Sequence, residues 1–188
     1  ETLKNSGAAE KLFSGFRDHV QTEGIITHIG SIVDASIIER RHQHIGKDAY
    51  TQLKAGETPK EWQKPENKNK VRQIDKDARI TIKNKKMLYG YKLHSKVDVD
   101  SKCIAKMKVT PANEADNMHF VELLDENTDK VVYADKGYVG KKIPERIKNQ
   151  VHERADRGHP LSEEAEARNR QRTPIRARVE HVFGSMKG

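Results

Sequence analysis

No stretch constrains this chain more than residues 25–38, Ile-Ile-Thr-His-Ile-Gly-Ser-Ile-Val-Asp-Ala-Ser-Ile-Ile. β-branched residues dominate it and Gly30 punctuates it, which reads as a strand or a tight hairpin through the centre of a sheet. Asp34 lies inside that apolar run. A lone ionised carboxylate is costly to bury unless it is paired or bound to a cation. The position therefore asks for a partner elsewhere in the chain.

The other elements supply candidates. Residues 9–20 place Ala9, Leu12, Phe13, Phe16 and Val20 at three- and four-residue steps, the pattern of a helix that docks on a core. Residues 39–80 show almost no apolar periodicity and hold 11 Lys or Arg against 7 Asp or Glu, which reads as a long, exposed, basic connection. From 89 to 99, strict alternation puts Tyr91, Leu93, Val97 and Val99 on one face and charges on the other, and a second run at 103–109 completes an antiparallel hairpin. Asn113 suits the cap of a following helix with Phe120, Leu123 and Leu124 as its stripe. A short strand at 131–134 stops at Asp135, before a glycine turn. After a polar, partly helical segment at 141–172, Thr173 and Pro174 read as the cap and first residue of a last helix. This order describes an α/β fold, a mixed sheet with flanking helices. The expected division is an N-terminal helical segment at 1–23 and one domain at 24–188.

Lys and Arg number 36 against 28 Asp and Glu, a net charge of +8, so a polyanion is the leading large partner, with nucleic acid ahead of an acidic membrane surface. No stretch approaches the roughly 20 apolar residues that cross a bilayer. The first residues lack the apolar run of a secretion signal, and a cytosolic location is expected. Cys103 stands alone, which excludes a disulfide framework and a Cys-pair zinc site.

Asp135, at the end of an apolar strand, occupies the kind of position where α/β folds display functional side chains. On a continuous helix, Arg176, Glu180 and Lys187 fall within a strip about 40° wide, a carboxylate between two cations. Carboxylate oxygens suit hard divalent ions, and two such ions activate an attacking oxygen and stabilise a departing one at phosphorus. Arg176 grips phosphate by a fork and Lys187 as a point charge. Lys136, Arg172 and Arg178 are further candidates for phosphate contact.

Four ordered segments carry a resemblance: Ser-Ile-Val-Asp-Ala-Ser-Ile-Ile at 31–38, Val-Thr-Pro-Ala-Asn at 109–113, Val-Tyr-Ala-Asp-Lys-Gly-Tyr at 132–138, and Arg-Val-Glu-His-Val-Phe-Gly-Ser-Met-Lys at 178–187. From about Gly24 onward the chain resembles the DDE domain of bacterial insertion-sequence transposases of the insertion-sequence-five group. The resemblance implies a ribonuclease-H-like fold and a triad of Asp34, Asp135 and Glu180 holding two Mg2+ ions, with Mn2+ as a substitute. Arg176, Glu180 and Lys187 match the family's Tyr, Arg, Glu, Lys signature in spacing, with Thr173 where the Tyr stands. The reaction implied is attack of water on a phosphodiester at the element end, then attack of the freed 3′ hydroxyl on target DNA. The implied partners are double-stranded DNA, as terminal repeats and target, and a second or further copies of the chain on paired ends. The start reads as mid-protein sequence, so a piece lacking end-recognition parts is expected.

Blander readings compete. Asp98 and Asp100 flank a turn that explains them, and Asp75 and Asp77 read as solvated pairs near basic residues. His42 and His44 read as solvated histidines, and His181, one step from Glu180, is turned 100° away. Trp62, the only Trp, either stacks on an unpaired base or packs the basic connection. The rival functions are a ribonuclease-H-like nuclease or resolvase that does not join strands, and a non-catalytic DNA-binding remnant.

Overall fold

The β-branched run does pass through the middle of a sheet. The computed structural model describes residues 6–40 and 45–187. Six strands, β1 (Ser31–Glu39), β2 (Arg79–Lys83), β3 (Lys86–Asp98), β4 (Ile104–Pro111), β5 (Val131–Ala134) and β6 (Lys148–Val151), lie in the order β2-β3-β1-β5-β6, with β4 pairing with β3. β1, β5 and β6 run parallel, with Val33 opposite Ala134 and Ala134 opposite Val151. β2 runs antiparallel to β3. The helices are α1 (Ala8–Thr22), α2 (Lys47–Lys54), α3 (Lys68–Gln73), α4 (Phe120–Leu123), α5 (Glu163–Arg176) and α6 (Arg178–Lys187). The α/β mixed sheet expected from the sequence is therefore present. Two compact units divide the chain, one from residues 1–36, 93–109 and 115–188, the other from 37–92 and 110–114.

In the first unit, successive β1 residues serve opposite faces of the sheet. Val33, Val132, Ala134 and Val151 join Phe120, Leu123, Tyr138 and Ile147 in one apolar cluster. Ile32, Leu93 and Val97 join Val179 and Phe183 of α6 in another. Asp34 follows the alternation and shares the α6 side with Ile32. Ile32, Val33, Val132, Phe120 and Val179 are at most 1% exposed, and each such side chain stabilises the fold by roughly 1.5–3 kcal/mol.

The polar face of β3 departs from expectation, because His94, Lys96 and Asp98 are buried rather than solvated. Lys96 donates at 2.9 Å to both oxygens of Asp129. Asp129 also accepts from the Ser31 hydroxyl at 2.8 Å and from the Asp125 N–H at 2.8 Å. Asp98 accepts from the backbone N–H groups of His28 and Ser101 and from the Ser101 hydroxyl, so turn chemistry does account for it. Burial raises its pKa, and these bonds together lower it below the ordinary value.

The second unit corrects the reading of 39–80 as an exposed connection, because α2, α3 and β2 fold there around buried Ala49, Leu53, Ile74, Ala78 and Tyr89. Asp75 is not a solvated pair but a hub. It accepts from the Tyr91 hydroxyl at 2.6 Å and from the N–H groups of Asp77 and Ala78, and pairs with Arg40 at 3.2 Å. Gly90 is obligatory in this unit, since a Cβ there would lie 2.1 Å from the Ile38 carbonyl oxygen.

Helix ends bring further corrections. Ser162, not Thr173, caps the helix that contains Pro174, accepting from the Ala165 N–H at 3.2 Å. Pro174 lies inside α5, where it leaves the Arg170 carbonyl without its N–H. The chain breaks at Ala177 and restarts as α6, so Arg176 and Glu180 belong to different helices. Asn113 caps nothing, and α4 is a single turn. The docking stripe of α1 is buried only at Val20, while Leu12 and Phe16 are 71% and 67% exposed. No helix among the described residues is long and apolar enough to cross a membrane.

Candidate active site

Strand register assembles the site. Val33 lies opposite Ala134, so the next positions, Asp34 within β1 and Asp135 just past β5, come side by side where the two strands stop pairing. β6 extends the row, because the His152 N–H donates to the Ala134 carbonyl at 3.0 Å and puts His152 beside Asp135. This is the carboxyl end of β5 and β6, where α/β sheets place ligands.

Asp34 is largely enclosed, with 17% of its side chain exposed. Burial raises its pKa to about 6; the Ala35 N–H, 2.8 Å away, and Arg176 work against that rise, and Glu180 and Asp116 add to it. Asp135 accepts from the N–H of Lys136 at 2.7 Å, which fixes the turn that follows β5. Tyr138, in that turn, is 3% exposed, and its hydroxyl is buried without a hydrogen-bond partner among the described residues. Burial raises the pKa of that phenol, and Asp34, Asp116 and Asp135 reinforce the shift. His152 is held below the ordinary imidazole range by burial and by Arg176 and Arg172, with Asp135 opposing.

The break between α5 and α6 brings in the third acid. Arg176 Nη1 lies 3.3 Å from Asp34 Oδ2 and 3.8 Å from Glu180 Oε1, so one guanidinium gathers both carboxylates. Its Nε is buried without a hydrogen-bond partner among the described residues. Among the described residues no three or more His, Cys, Asp or Glu side chains stand close enough together to form a ready metal cage. Asp34 and Glu180 are brought together through Arg176, and Asp135 is placed next to Asp34 by register alone. The fit to a divalent cation is nevertheless good. A buried carboxylate whose proton affinity is raised by its burial, and further by other acids, is a position that a cation relieves, and the donors are hard oxygens.

The remaining candidates divide. Arg172 is 11% exposed and engaged with the protein, donating to Gln150 Oε1 and the Val151 carbonyl at 2.9 Å and to Glu153 at 3.2 Å. Arg178 donates to the Val99 carbonyl at 2.9 Å. Lys136, beside Asp135, and Lys187, at the end of α6, are exposed. His181 is exposed on α6, and His42 and His44 lie outside the described residues. His152 and Asp116 escaped the sequence reading. β6 is Lys-Asn-Gln-Val, with one apolar residue, and gives no periodic signal that would announce a strand ending at His152.

Comparison with known proteins gives concordant results. The family model described as "Transposase DDE domain" matches residues 26–188. The transposase for insertion sequence element IS1106 from Neisseria meningitidis serogroup B is 32% identical over 167 residues, which cover 83% of this chain and 53% of that protein. The chain thus spans about half the length of the curated relative it matches. No solved structure matches it.

Proposed function

The chain belongs to the transposase DDE domain family, and on that premise we propose that it is the ribonuclease-H-like catalytic domain of a DNA transposase whose divalent ions are held by Asp34, Asp135 and Glu180. The observation that carries this reading is the pairing of Val33 with Ala134, which brings Asp34 within β1 and Asp135 just past β5 to neighbouring positions, with Arg176 joining Asp34 to Glu180. Mg2+, or Mn2+ in its place, would supply activation of the attacking oxygen and stabilisation of the departing one.

The chain's own residues have distinct tasks in this proposal. The sheet holds Asp34 within β1, while Glu180 is exposed on a helix that starts afresh after Ala177. Arg176 offsets the charge of the buried acid and presents a forked donor to a phosphate. Lys136 and Arg178 lie close to these acids in sequence, Lys187 ends the helix that carries Glu180, and all three add positive charge for the strands, while Arg172 fixes β6 to α5. Water attacks the phosphodiester at the element end, and the freed 3′ hydroxyl attacks target DNA. Double-stranded DNA, a homodimer or larger assembly on paired ends, and a cytoplasmic location complete the proposal.

The test is a nicking and joining assay with Mg2+. Asp135→Asn is expected to abolish nicking while salt-sensitive DNA binding persists; undiminished nicking removes the site. Wild-type nicking without joining favours the nuclease reading, and binding without either favours the remnant.

A further inference from the structure

The second unit contains a cavity of about 420 Å3 that the proposed chemistry does not use. Trp62, Lys64, Lys68, Arg72 and Lys76 line it, with Ile74 on the apolar side. No acid contributes to the lining, and none of the four cationic side chains has an ion pair among the described residues. The neighbouring acid, Asp75, is already committed to Arg40, Tyr91 and two backbone N–H groups. Glu61, Glu66 and Asp77 adjoin lining residues in sequence, but the lining itself carries four cations and no acid, which favours an anion.

The loop that carries the indole is preformed. Trp62 sits on the turn Lys60–Gln63, its backbone N–H donating to the Pro59 carbonyl at 2.9 Å. Asn67 donates to the Glu61 carbonyl at 2.8 Å, and Gln52 of α2 accepts from the Lys60 N–H at 3.0 Å, so the loop is closed on itself and tied to a helix. A preformed loop loses little conformational freedom on binding.

We propose that this cavity binds a nucleotide of single-stranded DNA, the base stacked on Trp62 and the phosphates held by Lys64, Lys68, Arg72 and Lys76. Charge alone would suit any phosphate. The half-buried aromatic wall adds a preference for a flat apolar ring. A base inside a duplex has both faces covered by its neighbours, so an unpaired one fits. Only the choice of DNA rests on the transposase reading; the nucleotide chemistry rests on the cavity.

Trp62 is the sole tryptophan, so its fluorescence reports on this site alone. Titration of the whole chain with a thymidine decamer is expected to quench it saturably. Trp62→Ala should weaken binding of the labelled decamer about tenfold, measured by polarisation, with Trp62→Phe much closer to wild type. Lys68→Gln with Arg72→Gln should flatten the salt dependence by a log–log slope of about 1.4. Thermal melts of the variants confirm folding. Absence of quenching overturns the proposal, as does equal quenching by a blunt duplex, an oligouridine or free thymidine monophosphate at equal nucleotide concentration. The same titration of Asp135→Asn separates the two readings: lost nicking with intact quenching leaves the cavity standing, and intact nicking without quenching sinks the cavity alone.

Discussion

The two units treat charge in opposite ways. In the first unit an acid is drawn inward: Asp34, within β1, is buried enough to raise its pKa to about 6. Around Trp62, cations stay exposed and unpaired with any described acid, and Asp75 is withdrawn into a hub. The difference teaches that net charge conceals the division of labour: a chain of +8 keeps its catalytic candidates anionic and its candidate nucleotide cavity cationic.

The largest expected effect tests whether the two regions act separately. Asp135→Asn should reduce nicking on the order of 10³-fold, a loss of about 4 kcal/mol, while quenching of Trp62 is unchanged. A matching loss of both would merge the regions into one function.

Next comes a buried charge that belongs to neither. Lys96→Met leaves Asp129, 0% of whose side chain is exposed, enclosed without its cation. Denaturant unfolding should show a loss of about 3–5 kcal/mol. A loss below about 1 kcal/mol would mean that Asp129 takes up a proton or water at little cost.

A smaller effect, about 3 kcal/mol, sharpens the account of Asp34. Its carboxyl keeps a proton in the folded chain up to about pH 6, whereas the ordinary value is 3.8. The metal-free folded chain therefore binds more protons than the unfolded chain between those limits, and its stability falls as pH rises through them. Urea midpoints from pH 3.5 to 7 measure this. Mn2+ should restore the lost stability, and Asp34→Asn should flatten the profile; a flat wild-type profile would contradict the burial argument.

The smallest effect is on the second unit. Arg72→Gln, at an exposed position, should change stability by no more than about 0.5 kcal/mol while weakening decamer binding. A large stability loss would make that cation structural.

The sequence was most legible where apolar period and burial agree. β1, β3, β4 and β5 follow directly from alternating or continuous apolar residues, and Asp34 stood out because a charge interrupts such a run. Legibility failed where tertiary contacts supply what local pattern does not. β6 is made a strand by pairing with β5, despite three polar residues out of four. Pro174 has the same neighbours that a helix start has, and only the Ser162 cap reveals that the helix began a few turns earlier. Lys96 looked solvated because its partner, Asp129, lies 33 residues away. The basic segment of the second unit hid its small core behind charges. Within the site, the spacing of Arg176 and Glu180 was readable, but the helix break between them was not.

The central claim is that Asp34, Asp135 and Glu180 jointly hold divalent ions, and calorimetric titration with Mn2+ tests it most directly. The account predicts saturable binding by the wild-type chain, weakened about tenfold or more by each of Asp34→Asn, Asp135→Asn and Glu180→Gln. Wild-type affinity in all three variants would contradict it.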